Sequence, residues 1–150
     1  MEGMENHPNA LAPGKRSRTS LTPTLALKDG KPSLAFGSPG GDRQDQWSLL
    51  FFLRRVHYGM NLQQAIEYPN FSTKHAPSSF YPRLSQPGNL TIESRMPEAT
   101  IKEMEKRGHD IKITGPWSQS RGVAAGIEHD EGLLLGAASP RSIQSYAIGW

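Results

Sequence analysis

The chain has 150 residues, of which 35% are hydrophobic, and a formal net charge of +3. These values fit one small globular domain or part of a larger one. Its 12 prolines and 15 glycines predict many turns and loops, which excludes a simple helical bundle. Because the sequence has no cysteine, it has no disulfide, no thiol nucleophile and no thiolate metal site. Lys15, Arg16 and Arg18 cluster, but no helix carries a long basic stripe, so nucleic-acid binding is not expected.

Nothing in the sequence predicts contact with a membrane. Residues 1–13 lack the basic start and the apolar stretch of a secretory signal. The longest apolar run, at residues 49–53, is far too short to span a bilayer. We therefore expect a cytoplasmic or periplasmic location, with the cytoplasm favoured. The five histidines show no metal-ligand spacing, and neither a metal nor a cofactor is expected.

The first half of the chain predicts an arm, a hairpin and a helix. Residues 1–18 are polar and indicate an irregular arm. Two β-prone runs, 25–27 and 33–36, are joined by a Lys-Asp-Gly-Lys segment, and Asp-Gly is a strong hairpin signal. Residues 44–57 predict a helix whose apolar face is so broad that we expect it to be buried between layers. Tyr58-Gly59 is a suitable left-handed end for this helix.

The second half predicts shorter elements that alternate between helix and strand. A long loop is expected at residues 70–88, and segments of this length are often functional. The other predicted elements are a helix at 62–67, a strand at 90–93, a helix at 97–107, a strand at 110–114, a hairpin of 122–128 with 133–138, and a last strand at 146–150. Strands grouped with helices over them predict an α/β (α+β) fold with antiparallel-rich layers.

Two loops of small residues flank the predicted hairpin, and the hairpin would bring them to one side of the sheet. The first contains Thr19 and Ser20, which supply adjacent hydroxyl groups; the second contains Gly40 and Gly41, which expose backbone N–H groups. Hydroxyls can donate to a substrate carboxylate, and backbone N–H groups can stabilise an oxygen that becomes negative during attack on a carbonyl. The pair therefore indicates a site for a small anionic or carbonyl substrate.

The same residues resemble a known family. The order Lys-Arg-x-Arg-Thr-Ser-Leu-Thr-Pro-Thr, Lys-Asp-Gly-Lys-Pro and Gly-Ser-Pro-Gly-Gly-Asp is similar to that of the γ-glutamyltranspeptidases (glutathione hydrolases), which are N-terminal-nucleophile hydrolases. The resemblance runs from residue 9 to residue 150, and Gln46-Trp47 is similar to the bacterial γ-glutamyltransferase-like branch. It implies that residues 19–150 are the C-terminal portion of the small catalytic subunit, within an incomplete α-β-β-α sandwich.

The resemblance also implies roles for the two loops. Thr19 and Ser20 would hold the substrate carboxylate, and Gly40 and Gly41 would lie at the oxyanion site. The family's nucleophile is an N-terminal threonine, whose own amine serves as base. Residues 1–18 contain no threonine, so no catalytic nucleophile is assigned, and the chain alone is expected to be inactive. A missing upstream subunit or a homo-oligomer is the expected partner.

Several alternatives remain open on the sequence. The chain could belong to a γ-glutamyl transferase or hydrolase, to a related amidohydrolase or acylase, or it could be a truncated remnant that binds small carboxylates or a partner. Asp42 could bind a substrate ammonium group or cap the following helix. Arg141 is expected to pair with a buried carboxylate, whereas Glu93 and Asp110 show no sign of being a catalytic pair.

Overall fold

The computed structural model describes residues 10, 12–16, 21–119, 125–130, 133–142 and 145–148, with the backbone alone at 125–130. These residues form two β-sheets and three α-helices, with a short 3-10 turn at Gly41–Arg43. The elements in chain order are β1 (Thr24–Lys28), β2 (Lys31–Gly37), α1 (Gln44–Val56), α2 (Leu62–Glu67), β3 (Phe71–Thr73), β4 (Asn89–Glu93), α3 (Glu98–Lys106), β5 (Asp110–Thr114), β6 (Ala125–Asp130) and β7 (Leu133–Ala137). The α+β class is therefore as predicted.

The first sheet contains four antiparallel strands in the order β1-β2-β6-β7. The predicted β1–β2 hairpin is confirmed, with Thr24 opposite Phe36 and Lys28 opposite Lys31. Its turn places Asp29 at φ 52° and Gly30 at φ 76°, the left-handed conformation that tight hairpins need. The predicted hairpin of the last strands is also present, as β6 and β7.

Helices α1 and α2 cover one face of this sheet. Leu34 and Phe36 alternate along β2 and point into the same core as Phe51 and Ile66. The Phe36 and Phe51 rings lie 5.0 Å apart between centroids. Helix α2 begins with a capping box, in which the Asn61 side chain accepts from the backbone N–H of Gln64. Because this core joins β2 to the middle of α1, it limits where the loop between them can lie.

Burial of helix α1 differs from the sequence prediction. Trp47 and Phe51 are buried, but Leu49 is 56% exposed and Val56 is 61% exposed. The prediction of burial between two layers is therefore wrong within the described part of the chain. The physical reason is that α1 contacts the sheet along one side, and no described element covers its opposite side.

The second sheet has three strands in the order β3-β4-β5. Strands β4 and β5 run parallel and are joined through α3, which packs Ile101 against Leu90 and Ile92. Strand β3 lies within the segment predicted as a long loop, so that prediction is corrected at Phe71–Thr73. Tyr146–Ile148, expected to start a last strand, are not in a strand, and residues 149–150 lie outside the described residues.

The face of the first sheet opposite the helices is apolar and only partly covered, by Ala147 against Gly136. Leu25 is 60% exposed, and its cross-strand neighbour Ala35 lies on the same face. Leu134 on β7 is 74% exposed. It lies on the same face as Ala35, because Gly136, two residues further along β7, pairs with Ile127, and Ile127 pairs with Ala35. Two helices on one face and a partly exposed apolar opposite face make this part of the fold a two-layer α-β arrangement.

We expect this exposed sheet face to make the purified chain associate with itself, or to leave a monomer that unfolds with low cooperativity. Burial of apolar surface contributes about 25 cal/mol per Å². Replacing Leu25 and Leu134 together by Glu should shift the chain towards monomer in size-exclusion chromatography. The matched control is Leu49→Glu, which changes an exposed leucine on α1 and should leave the elution volume unaltered. A monomeric wild-type chain with a cooperative thermal transition would contradict the expectation.

Among the described residues, no helix is long and apolar enough to cross a bilayer.

Candidate substrate-binding site

The loop between β2 and α1 has a backbone that requires glycine at two consecutive positions. Gly40 has φ 134° and Gly41 has φ 62°, both in the range that favours glycine. A Cβ on Gly40 would lie 2.7 Å from Cζ3 of Trp47, and a Cβ on Gly41 would lie 3.0 Å from Cε2 of Phe80. Two aromatic side chains therefore pack directly against this loop.

The N–H groups of this loop are available to a ligand. Gly40 immediately precedes the turn Gly41–Arg43, and Gly41 is its first residue. The turn runs directly into α1. The first N–H groups of a helix have no partner within the helix, and they lie at its positive end. Neither the Gly40 nor the Gly41 N–H donates a hydrogen bond to any described residue. Gly40 is exposed, so a substrate oxygen can approach it.

The two predicted hydroxyl residues, Thr19 and Ser20, lie outside the described residues. The chain becomes described again at residue 21, and Thr22 Oγ1 donates a 2.7 Å hydrogen bond to Oε1 of Gln44. Gln44 is buried and is the first residue of α1, three positions after Gly41. The segment that follows the hydroxyl pair is therefore attached to the helix that follows the glycine pair.

Asp42 makes contacts other than the expected helix cap. No side chain caps the turn Gly41–Arg43 or helix α1. Instead, the Asp42 carboxylate accepts hydrogen bonds from the Ser78 hydroxyl at 3.0 Å, the Ser79 N–H at 2.8 Å and the Ser79 hydroxyl. The expectation of a helix cap is wrong, because a loop 36 residues away in sequence supplies better donors.

These bonds hold the loop at residues 74–86 against the glycine loop, and a cleft of about 430 Å³ lies between the two. Its wall includes Gly40 and Arg43 on one side and the loop residues Lys74, Phe80 and Tyr81 on the other. The sequence predicted a long loop here but not its position, because that position depends on tertiary contacts with Asp42.

The predicted pairing of Arg141 with a buried carboxylate is confirmed, and the partner is Glu93. Arg141 Nε lies 2.6 Å from Glu93 Oε1, and neither side chain has exposed surface. Arg141 also donates to the carbonyls of Ile66 and Tyr68 at the end of α2, which fixes the segment after β7. Glu93 therefore has a structural role. Asp110 lies at the exposed start of β5 and is not its catalytic partner.

A second buried arginine extends this cluster. Arg54 on α1 donates to Oδ1 of Asn70 at 2.7 Å, and the Asn70 N–H donates to Glu93 at 3.0 Å. Burial, and after it the positive charge of Arg141, lower the pKa of Arg54 to about 10. No sequence pattern predicts this role, because an arginine in the last turn of a helix is usually an exposed cation. In the described chain, no three His, Asp or Glu side chains are placed to bind a metal ion.

Comparison with known proteins identifies the family. The family model described as γ-glutamyltranspeptidase matches residues 1–149, so the chain belongs to this family. Among curated relatives, the chain is 36% identical to the glutathione hydrolase-like YwrD proenzyme of Bacillus subtilis, covering 91% of the chain and 25% of the relative. It is 35% identical to the oxamate amidohydrolase proenzyme of Klebsiella pneumoniae, with the same two coverages.

A solved structure supports the fold. The protein described as LmbA2991HD is 47% identical and superposes with a TM-score of 0.83, covering 98% of this chain and 26% of that one. The chain thus spans about a quarter of the length of these relatives. That share does not confirm the prediction that the chain is the C-terminal portion of a small subunit.

Proposed function

We propose that this chain supplies the substrate-binding surface of an enzyme that transfers or hydrolyses the acyl group of γ-glutamyl amides. Gly40 and Gly41 would stabilise the carbonyl oxygen as it becomes negative. Thr19 and Ser20 would donate hydrogen bonds to the α-carboxylate of the substrate. Family membership by itself does not assign this activity, because the chain spans only 25% of the length of its relative.

The observation that carries this proposal is the pair of adjacent N–H groups that donate to no described residue. Their positions at the start of α1 add the favourable electrostatic end of a helix to the two donors. Preorganised donors of this kind lower the barrier of acyl transfer by about 3–4 kcal/mol each. Glycine is needed at both positions because a side chain would overlap Trp47 or Phe80, so the donors stay uncovered.

The role of Thr19 and Ser20 is supported by the surroundings of the next residues. The hydrogen bond from Thr22 to Gln44 attaches this end of the hydroxyl loop to the first turn after the glycine pair. A γ-glutamyl substrate has its carboxylate and its amide carbonyl at opposite ends of a short chain. Two loops attached to the same helix start can bind both ends at once.

The nucleophile is proposed to come from outside this sequence. The family's threonine must lie within reach of the carbonyl carbon, with its own amine as base. Donors for an oxyanion cannot accelerate an attack when no nucleophile is present. The purified chain is therefore proposed to bind substrate without turning it over, and another segment or a partner chain would complete the site.

A related amidohydrolase activity is the second candidate, and the relative named oxamate amidohydrolase favours it. Oxamate also combines a carboxylate with an amide carbonyl, but the two groups are directly joined. The loops recognise those two groups and carry no described residue that measures the distance between them. Comparing the binding of oxamate with that of glutamine separates the two candidates.

Replacing Ser20 with Ala is expected to weaken binding of γ-glutamyl-p-nitroanilide by about ten- to a hundredfold, because a hydrogen bond to a charged group is lost. Isothermal titration calorimetry on the purified chain measures the affinity, since no product should form. The control is Ser118→Ala, which removes an exposed hydroxyl that donates only to the Gly115 carbonyl. Equal affinity of wild type and Ser20→Ala, or release of p-nitroaniline by the chain alone, would contradict the proposal.

A further inference from the structure

The cleft between the glycine loop and the loop at residues 74–86 is a built feature of the fold. The loop is closed at its base by the N–H of Gln86, which donates to the Lys74 carbonyl at 2.8 Å. Further out, the Ser78 N–H donates to the Leu84 carbonyl at 3.0 Å. Together with the bonds to Asp42, these contacts hold the loop in a defined position beside Gly40.

The tip of this loop presents aromatic rings towards the glycine loop and the cleft. The Phe80 ring lies against Gly41, within 3.0 Å of the position a Cβ would take there. Tyr81 is 76% exposed and also lines the cleft. Large apolar side chains are costly to leave in water when they could be buried, and aromatic rings contact planar ligands well. The wall next to the proposed oxyanion donors is therefore suited to a flat, apolar group.

The same cleft is positively charged. Arg43 and Lys74 line it, and within the described chain neither side chain makes a hydrogen bond or an ion pair. Asp42 also lines the cleft and keeps its negative charge while it accepts hydrogen bonds from the two serines, so these three side chains carry a net charge of +1. A net positive charge beside aromatic rings favours a ligand that combines a planar body with an acidic group.

We propose that this cleft binds the amine portion of the amide substrate and selects amines that carry an aromatic ring and a carboxylate. The inference rests on the proposed function, which places the amide carbonyl at Gly40 and the α-carboxylate at Thr19 and Ser20. Thr22, the first described hydroxyl residue after this pair, is bonded to Gln44 and does not line the cleft, so we assign the cleft to the other side of the amide. Tyr81 and Lys74 are then specificity-determining residues that contact the leaving group.

The inference is tested by measuring the affinity of the purified chain for three compounds: L-glutamine, γ-glutamylanilide and γ-glutamyl-4-aminobenzoate. They share the γ-glutamyl end and differ by an aromatic ring and then by a carboxylate. We expect affinity to rise in that order. Tyr81→Ala should weaken binding of both aromatic amides by about three- to tenfold. Lys74→Gln should weaken only the 4-aminobenzoate, by about threefold, because an exposed ion pair is weak. Neither variant should change the affinity for glutamine.

Matched controls are Tyr58→Ala and Lys112→Gln, which alter an exposed tyrosine and an exposed lysine elsewhere. If glutamine binds and the aromatic amides bind no better, or if Tyr81→Ala and Lys74→Gln behave like the controls, the cleft assignment is wrong and the proposed function stands. If the aromatic amides depend on Tyr81 and Lys74 but not on Ser20, the cleft assignment stands and the γ-glutamyl proposal fails. Absence of binding by all three ligands overturns both.

Discussion

Replacing Glu93 with Gln is expected to destabilise the chain by about 3–5 kcal/mol, because it leaves a buried arginine without its counter-charge. The Glu93 carboxylate has no exposed surface and accepts hydrogen bonds from Arg141 at 2.6 and 2.8 Å. It also accepts from Arg95 at 2.9 Å. Glutamine has nearly the same shape, but its amide carries no charge and has only one acceptor oxygen. Urea-induced unfolding of both proteins measures the difference.

The same carboxylate makes stability depend on pH. Burial by itself raises the pKa of Glu93, but the hydrogen bonds from Arg141 and from the Asn70 N–H outweigh it, so the pKa lies below its usual value of 4.5. The unfolded chain therefore takes up this proton at a higher pH than the folded chain. The contribution is complete above pH 4.5 and is lost as the pH falls through the lower folded-state pKa.

The control for Glu93→Gln is Glu98→Gln in the first turn of α3. Glu98 forms a 2.6 Å ion pair with Lys102, but the Glu98 side chain is 79% exposed. Exposed ion pairs contribute at most about 1 kcal/mol. The Glu93 variant should therefore lose several times more stability near neutral pH than the Glu98 variant, and the difference should shrink in acid. Equal losses at neutral pH would show that the buried pair does not stabilise the fold.

The elements that local sequence determines were predicted well. The β1–β2 hairpin follows from Asp29-Gly30, whose backbone conformation is needed at the turn itself. Helix α2 was predicted with the observed bounds at 62–67, and Asn61 caps it. In both cases, the residues that decide the structure are neighbours in the sequence.

Features that depend on distant contacts were predicted poorly. Strand β3 has three residues, and it is a strand only because Phe71 and Thr73 pair with β4. Arg141 was expected to find a carboxylate, but nothing local pointed to Glu93, 48 residues away. Asp42 was expected to cap the following helix, but its carboxylate instead accepts hydrogen bonds from the loop at residues 74–86. The cleft was missed for this reason, since it exists only where the two loops meet.

Replacing Gly40 with Ala is expected to cost about 3 kcal/mol or more of stability, from backbone strain of about 1–3 kcal/mol and overpacking of similar size. The new Cβ would meet Cζ3 of Trp47 at 2.7 Å, and Trp47 is only 4% exposed, so its ring has little room to move. The loop must shift instead, which misaligns the N–H groups of Gly40 and Gly41. Binding of γ-glutamyl-p-nitroanilide should therefore weaken in parallel with the free energy of unfolding.

Gly30→Ala separates the two contributions to this loss. Gly30 also has a positive φ, of 76°, but nothing lies within 4 Å of the position its Cβ would take. It should therefore cost about 1 kcal/mol from backbone strain alone. A double-mutant cycle of Gly40→Ala with Trp47→Phe, which removes the ring atom in conflict, should recover part of the loss. If Gly40→Ala costs no more than Gly30→Ala and shows no coupling to Trp47, the packing of this ring does not constrain the glycine loop.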